Sequence, residues 1–224
     1  MEPHFASALL TTAYFPPVEY FFAIAHSDRV LIEQYEAYQK QSWRNRCRIL
    51  AAAGPEDLSI PVVKEERLSR PIRDIRIDYG APWLQHHIRA FAAAYNHSAF
   101  YDYYADDLLP ILVRKPVFLF DLNLALLEKL MELLDLHVPI SLTEEFVIPG
   151  LTRNLLDGRE RIQPKYKGES LLAEYGCEQA YYQVFVNGIP GQARNDGTPS
   201  FIPNLSILDL LSAEGPNAAS FLRI

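Results

Sequence analysis

Apolar residues recur along this chain in short dense runs, separated by prolines, glycines and charged clusters, and the spacing inside each run predicts its element. Residues 9–14 read as a strand, closed by Phe15-Pro16-Pro17. Proline suits the first turn of a helix, so Val18–Ala25 is predicted to be helical. Residues 28–34 form a second predicted strand, whose continuous Val30-Leu31-Ile32 suits a strand covered on both faces. Strand, short helix and strand in that order predict a right-handed βαβ unit. Further strands are expected at Arg46–Ala51 and residues 58–63, with a turn at Gly54-Pro55 between them, and a half-buried or edge strand at residues 72–79.

The middle of the chain switches to helical spacing. Over Trp83–Tyr95, Leu84, Ile88, Phe91 and Tyr95 fall on one apolar stripe. Asp106-Asp107 is read as the cap of a short helix ahead of Pro110. Residues 117–136 form the longest predicted helix, with Leu122, Leu126, Leu130, Leu133 and Leu134 near one face. Asp121, Glu128, Lys129 and Glu132 make it a core helix and not a membrane span. Beyond Pro139 the texture becomes polar and broken, with Arg153, Arg159, Arg161, Lys165 and Lys167 between residues 150 and 176. A strand over 181–186 and a helix beginning within 204–211 close the pattern. The fold class expected is α/β: one domain over residues 1–224, with a mixed, largely parallel sheet, packed helices and a loop-rich C-terminal third. An α+β arrangement is the alternative.

Composition narrows this picture. With 224 residues, 49% of them hydrophobic, the chain can bury one sizeable core. The two cysteines, Cys47 and Cys177, are too few for a disulfide framework, although they could pair. The apolar N-terminal stretch lacks a basic leader and is interrupted by Pro16, Pro17 and Glu19, against a signal peptide or membrane span. A net charge of −7 argues against non-specific nucleic-acid binding. A cytoplasmic protein is expected.

Two segments are related in an unusual way. Residues 147–154 can be encoded by codons whose reverse complement specifies Ile189-Pro190-Gly191-Gln192-Ala193-Arg194-Asn195-Asp196, in that order. Such a relation is expected of an inverted DNA repeat within the gene, and it marks residues 147–155 and 187–199 as inserted loops. Coincidence between two turn-like segments is the alternative, and non-complementary codons in the gene would decide for it.

Standard catalytic signatures are absent: there is no phosphate-binding loop, GxGxxG, GxSxG or HExxH. Adjacent helical residues point about 100° apart, so His86 and His87 are poorly placed to share a metal, and no metal ligand is assigned. The richest polar stretch runs from Glu33 to Arg48, just after the second strand, where open α/β sheets place their ligands. If extended, it would set Arg44, Arg46 and Arg48 on one face, three guanidinium forks suited to a phosphate or carboxylate. A solvated strand face is the alternative. Cys47 is a candidate nucleophile if its arginine neighbours lower the thiol pKa, against the commoner buried, inert cysteine. Asn204 could cap the following helix or point into a cleft, and Ser206 is expected to cap.

From Tyr14-Phe15-Pro16-Pro17 through Glu33-Gln34 to Lys40-Gln41-Ser42-Trp43-Arg44-Asn45-Arg46-Cys47, the sequence resembles the WbqC-like family. The resemblance continues in Ala94–Tyr104, Phe118–Asn123, Tyr181-Tyr182-Gln183-Val184-Phe185 and Ile202-Pro203-Asn204-Leu205-Ser206. The family takes its name from a surface-polysaccharide gene cluster. The resemblance implies a transferase-like enzyme of surface-glycan precursor metabolism acting on an amino-sugar nucleotide, or a non-catalytic ligand-binding or assembly protein with the same cleft. It implies a shared site around Lys40, Asn45, Arg46 and Asn204. The candidate catalytic residues are therefore Lys40 and Cys47. The candidate ligand contacts are Tyr14, Gln34, Asn45, Arg46, Arg48 and Asn204, for an anionic small molecule such as a nucleotide sugar. Cofactor and oligomeric state stay unassigned. Where relatives carry His-Pro-Lys, this chain has Gln163-Pro164-Lys165, and the connection after Phe185 is longer than theirs.

Overall fold

Four short strands, β1 (Ser7–Thr11), β2 (Val30–Glu33), β5 (Ile140–Leu142) and β6 (Leu155–Asp157), lie side by side, all parallel, in the order β5-β2-β1-β6, and their shared C-terminal edge carries the polar chemistry described below. The computed structural model describes residues 3–64, 70–148, 155–178, 181–185 and 201–223. Strand β1 (Ser7–Thr11) is buried along its whole length, and Leu9 pairs with Leu31 of β2 (Val30–Glu33). Between them α1 (Val18–Ala25) is buried at every position but Ala25. A helix buried on all sides needs cover on all sides, and α1 packs against α5 (Leu171–Glu174) and α6 (Ile207–Glu214), with its one charged residue, Glu19, accepting the Leu171 N–H. The outer strands β5 (Ile140–Leu142) and β6 (Leu155–Asp157) were not expected; runs of three residues are too short to show a period.

The expected α/β architecture is present as a single domain with a largely parallel sheet, joined by a separate antiparallel pair. In that pair β3 (Arg46–Ala51) faces β4 (Gly54–Ser59). The second strand was expected four residues later, after a Gly54-Pro55 turn. Instead Gly54 takes φ +115 at the hairpin mouth, and Pro55 is tolerated because a two-stranded ribbon leaves β4 an outer edge. Residues 72–79 form no continuous strand. They begin with a 3-10 turn, Ile72–Asp74, and make only isolated bridges, Val62 with Ile77 and Arg76 with Phe118.

Three helices fill the middle. In α2 (Trp83–Tyr95) the buried face is Trp83, His87, Phe91, Ala94 and Tyr95, while Leu84 and Ile88 are half-buried. The stripe is thus turned by about one residue from the expected one, because the Tyr14 hydroxyl meets His87 Nδ1 at 2.9 Å and lets that polar ring enter the core. Helix α3 (Tyr101–Val113) runs through Pro110, where an end was expected. Pro110 and Asp106, the residue four before it, are both exposed, so the proline ring lies on the solvent side of the helix and not in the core. Helix α4 (Leu119–Leu133) buries Leu122, Leu126 and Leu130 as expected, with Leu133 only half-buried.

Residues 181–185, expected as part of a strand, form none; Tyr181 and Gln183 are inside and Tyr182 is out. The Gln183 side chain acts in place of a ladder: its Nε2 donates to the Ile202 carbonyl at 2.8 Å and its Oε1 accepts from the Ile202 N–H at 2.9 Å. Cys47 and Cys177 are both buried and free. Among the described residues no helix is long and apolar enough to cross a membrane. Of the two expected insertions, Val147, Ile148 and Leu155 fall within the described residues; residues 149–154 and all of 187–199 lie outside them.

Candidate functional site

Each strand of the parallel sheet delivers a polar side chain to the same edge: Thr11 ends β1, Glu33 ends β2, Asp157 ends β6 and Thr143 follows β5. Parallel sheets bind ligands beyond this edge, because the connections leaving it diverge and open a crevice. Glu33 is fully buried and has a full set of donors. Its carboxylate accepts from Thr143 Oγ1 at 2.9 Å, the Tyr35 and Val147 N–H groups at 2.9 Å each, and Arg159 Nη1 at 3.3 Å. Arg159 also forks onto Asp157, with Nε and Nη2 at 3.0 and 2.7 Å, and its guanidinium lies 5.2 Å from the Phe146 ring.

A second buried pair stands beside the first. Arg44 is fully buried, and its fork holds both carboxylate oxygens of Glu36, with Nε at 2.9 Å. Thr11 Oγ1 also donates to Glu36, the Asn123 amide of α4 caps the Arg44 carbonyl at 2.8 Å, and Arg44 Nη1 reaches Gln39 at 3.3 Å. Gln39 in turn donates to Glu160 at 3.3 Å. A chain of hydrogen bonds thereby runs from the sheet edge to the mouth of the crevice.

Two adjoining clefts open there and share Gln39, Glu160 and Tyr166 as a common wall. One, of about 430 Å³, is lined by Lys40, Lys165 and Lys167 together with Gln163. The other, of about 490 Å³, is lined by Glu36, Asp157, Arg159, Arg161, Phe146 and Tyr166. Arg161 is paired with Glu174. The three lysines are exposed and have no carboxylate partner among the described residues.

The residues singled out from sequence divide across this geometry. Lys40 lines the lysine cleft, and Gln34 binds the segment after β5, donating Nε2 to the Thr143 carbonyl at 2.6 Å. The expected face of three arginines does not form. Arg44 precedes β3 and turns inward to Glu36, while Arg46 and Arg48 share Asp57 on the outer side of the hairpin, at 3.1 and 2.8 Å. The β3 ladder is continuous, without a bulge, so Asn45 and Arg46 face opposite ways. Asn45 is buried and donates to the Ile60 carbonyl at 2.7 Å. Cys47 is fully buried, and burial pushes its thiol up, with Asp57 and Glu56 adding to the shift. That is the opposite of the activated thiolate expected from its arginine neighbours. Tyr14 is equally buried, its hydroxyl held at His87.

Asn204 stands at φ +56, a conformation asparagine tolerates, and its Oδ1 accepts the Glu19 N–H at 3.1 Å. It thus supplies from far along the chain the cap that Pro17 cannot give α1. Around it Val18 donates to Leu205, Ile207 to Pro16, and Ser206 Oγ to Phe15, so the Pro-Asn-Leu-Ser and Phe-Pro-Pro motifs clasp one another. Ser206 caps α6 as expected. The partners Glu36, Gln39, Asp157 and Arg159 went unselected in sequence, because what brings them together is the ends of separate strands. The available signals were the polar stretch after β2, which contains Glu36 and Gln39, and the run of Arg159, Arg161, Lys165 and Lys167.

A further buried carboxyl, Asp209 in α6, accepts from Tyr181 Oη at 2.8 Å and Gln183 Nε2 at 3.0 Å. Burial still pushes it up to about 6, against those hydrogen bonds, while burial and neighbouring His86 bring His87 down to about 4. The two act oppositely on stability. Between about pH 6.5 and 4 the unfolded chain binds the more protons at position 87, so acidification removes stability. Between about pH 6 and 3.8 the folded chain binds the more protons at position 209, so acidification restores it. Asp209→Asn should therefore lose urea resistance more steeply than the parent from pH 6.5 to 4.5. Parallel unfolding profiles would show that the two groups do not oppose each other in this way.

Comparison with known proteins agrees over nearly the whole length. The chain is 28% identical over 226 residues to the uncharacterized protein Rv1507c of Mycobacterium tuberculosis, covering 96% of each. No solved structure matches. The sequence pattern of the WbqC-like protein family matches residues 12–221, from the end of β1 to the last helical turn, taking in both clasped motifs and every residue that lines the two clefts. The chain belongs to the WbqC-like protein family.

Proposed function

We propose that the protein is a transferase-like enzyme of surface-polysaccharide precursor metabolism that holds an anionic sugar-type substrate in the cleft beside the strand ends. The observation that carries this is the convergence of Lys40, Lys165 and Lys167 on one cleft at the C-terminal edge of a parallel sheet, without carboxylate partners among the described residues. In a chain of net charge −7 such a cluster makes a local positive field that draws an anion against the background. The metabolic setting rests on the family's association with a polysaccharide gene cluster. Lys40 is the residue we assign to substrate, its amine free at the cleft mouth.

Binding without turnover is the second reading, favoured by the pairing of Glu33, Glu36 and Asp157 with arginines and by the burial of the Cys47 thiol. Incubation with nucleotide-linked amino sugars and acyl or aminoacyl donors separates the two: product supports the enzyme, saturable binding without product supports the binder. Calorimetry then locates the site. A hydrogen bond to a charged group contributes about 1.5–3 kcal/mol, so Lys40→Gln should weaken an anionic ligand about tenfold or more. Arg46→Ala, on the hairpin's outer side, should leave it unchanged. The reverse outcome would move the site to the hairpin.

A further inference from the structure

We infer that the paired clefts form one bipartite site for a nucleoside diphosphate, with a stacking shelf for the base at one end and a lysine cradle for the two phosphates at the other. This rests on the anion-binding reading above and assigns the parts of the ligand to parts of the site. The shelf is made by Phe146 and Tyr166, which are 48% and 45% exposed although both line the cleft. Large aromatic rings left half-open beside cations are suited to a planar, electron-rich ring, because every base presents a π-face and a guanidinium can sandwich it. Arg159 already lies against Phe146, anchored from behind by Asp157 and Glu33.

Tyr166 is the hinge between the halves, since it lines both clefts. Its position depends on Gly168: a Cβ there would stand 2.5 Å from the Tyr166 Cζ and hydroxyl oxygen. The glycine therefore permits the ring to lie over the backbone, with Lys165 and Lys167 on either side of it in sequence. Three separate ammonium groups around one cleft suit two linked phosphates better than a single one. A monosaccharide phosphate would occupy the cradle and leave the aromatic shelf uncovered.

Titration calorimetry with inorganic pyrophosphate, UDP and ADP at one salt concentration tests this. At least one nucleotide should bind about tenfold or more tightly than pyrophosphate, the size expected of one stacked base. Tyr166→Ala should remove that advantage while leaving pyrophosphate affinity in place, and Lys165→Gln should weaken all three. Gly168→Ala should act like Tyr166→Ala by displacing the ring without changing charge. Should that variant unfold early in urea, Phe146→Ala serves as the second test of the shelf. Pyrophosphate binding as tightly as both nucleotides would overturn the shelf and leave the anion site standing. Equal loss of pyrophosphate and nucleotide in Tyr166→Ala would overturn it too. Binding of none of the three would remove the shelf and the anion site together.

Discussion

Arg44→Ala should lower the stability of the protein by about 3–5 kcal/mol, the cost of leaving one member of a buried ion pair alone. Among the described residues Glu36 would keep only Thr11 as a side-chain donor, and its carboxylate is almost fully removed from water. The same substitution frees Gln39 from Arg44 Nη1, so the wall between the clefts loosens and ligand affinity should fall with stability. Urea unfolding of Arg44→Ala against the double variant Arg44→Met with Glu36→Leu decides the cause. An apolar pair of similar volume removes both charges together, so the double variant should regain most of the loss. A single variant within 1 kcal/mol of the parent, or a double variant as unstable as the single, would show that the pair does not hold the fold in this way.

Leu130→Ala should cost about 2–5 kcal/mol through lost transfer energy and the cavity left behind. Leu130 is fully buried in α4, a helix pressed between α3 and the 3-10 turn at Ile72–Asp74. Those neighbours are themselves anchored, the turn by the Leu119 N–H donating to the Ile75 carbonyl at 2.9 Å, so the site has little freedom to collapse. The upper half of the range is expected for that reason. Leu133→Ala, at a half-buried position one turn on, should cost less. Equal unfolding midpoints for Leu130→Ala and the parent would place the core on another face.

Wherever a segment's burial follows from its own spacing, sequence and structure agree. The α4 leucines, the Arg46–Ala51 strand and the Trp83–Tyr95 helix have the predicted bounds or face, or nearly so, because local apolar pattern and tertiary burial ask for the same thing. Disagreement begins where a distant partner changes the balance. His87 enters the core only because Tyr14 satisfies it, and that one bond turns the buried face of α2. Pro110 does not stop α3, and it sits on the exposed side of that helix, away from the packing that holds Leu108, Ile111 and Leu112. Tyr181, Tyr182 and Gln183 alternate like a strand but pair with no strand among the described residues, and Gln183 satisfies Ile202 instead.

The candidate site follows the same division. Sequence placed Lys40 and the polar stretch after β2 at the carboxyl edge of a parallel sheet, since a buried apolar strand followed by charge already implies an exit into a crevice. It also marked the Arg159–Lys167 run as cationic, without any sign that it faces Lys40. Only the tertiary structure decided which arginines are available: Arg44 is consumed by Glu36, Arg159 by Asp157 and Glu33, and Arg46 and Arg48 by Asp57. Side-chain type is a property of one position, and the sequence determines it. Whether a charge stays free for a ligand depends on which opposite charge lies within reach, and strands far apart in sequence settle that only when they lie side by side.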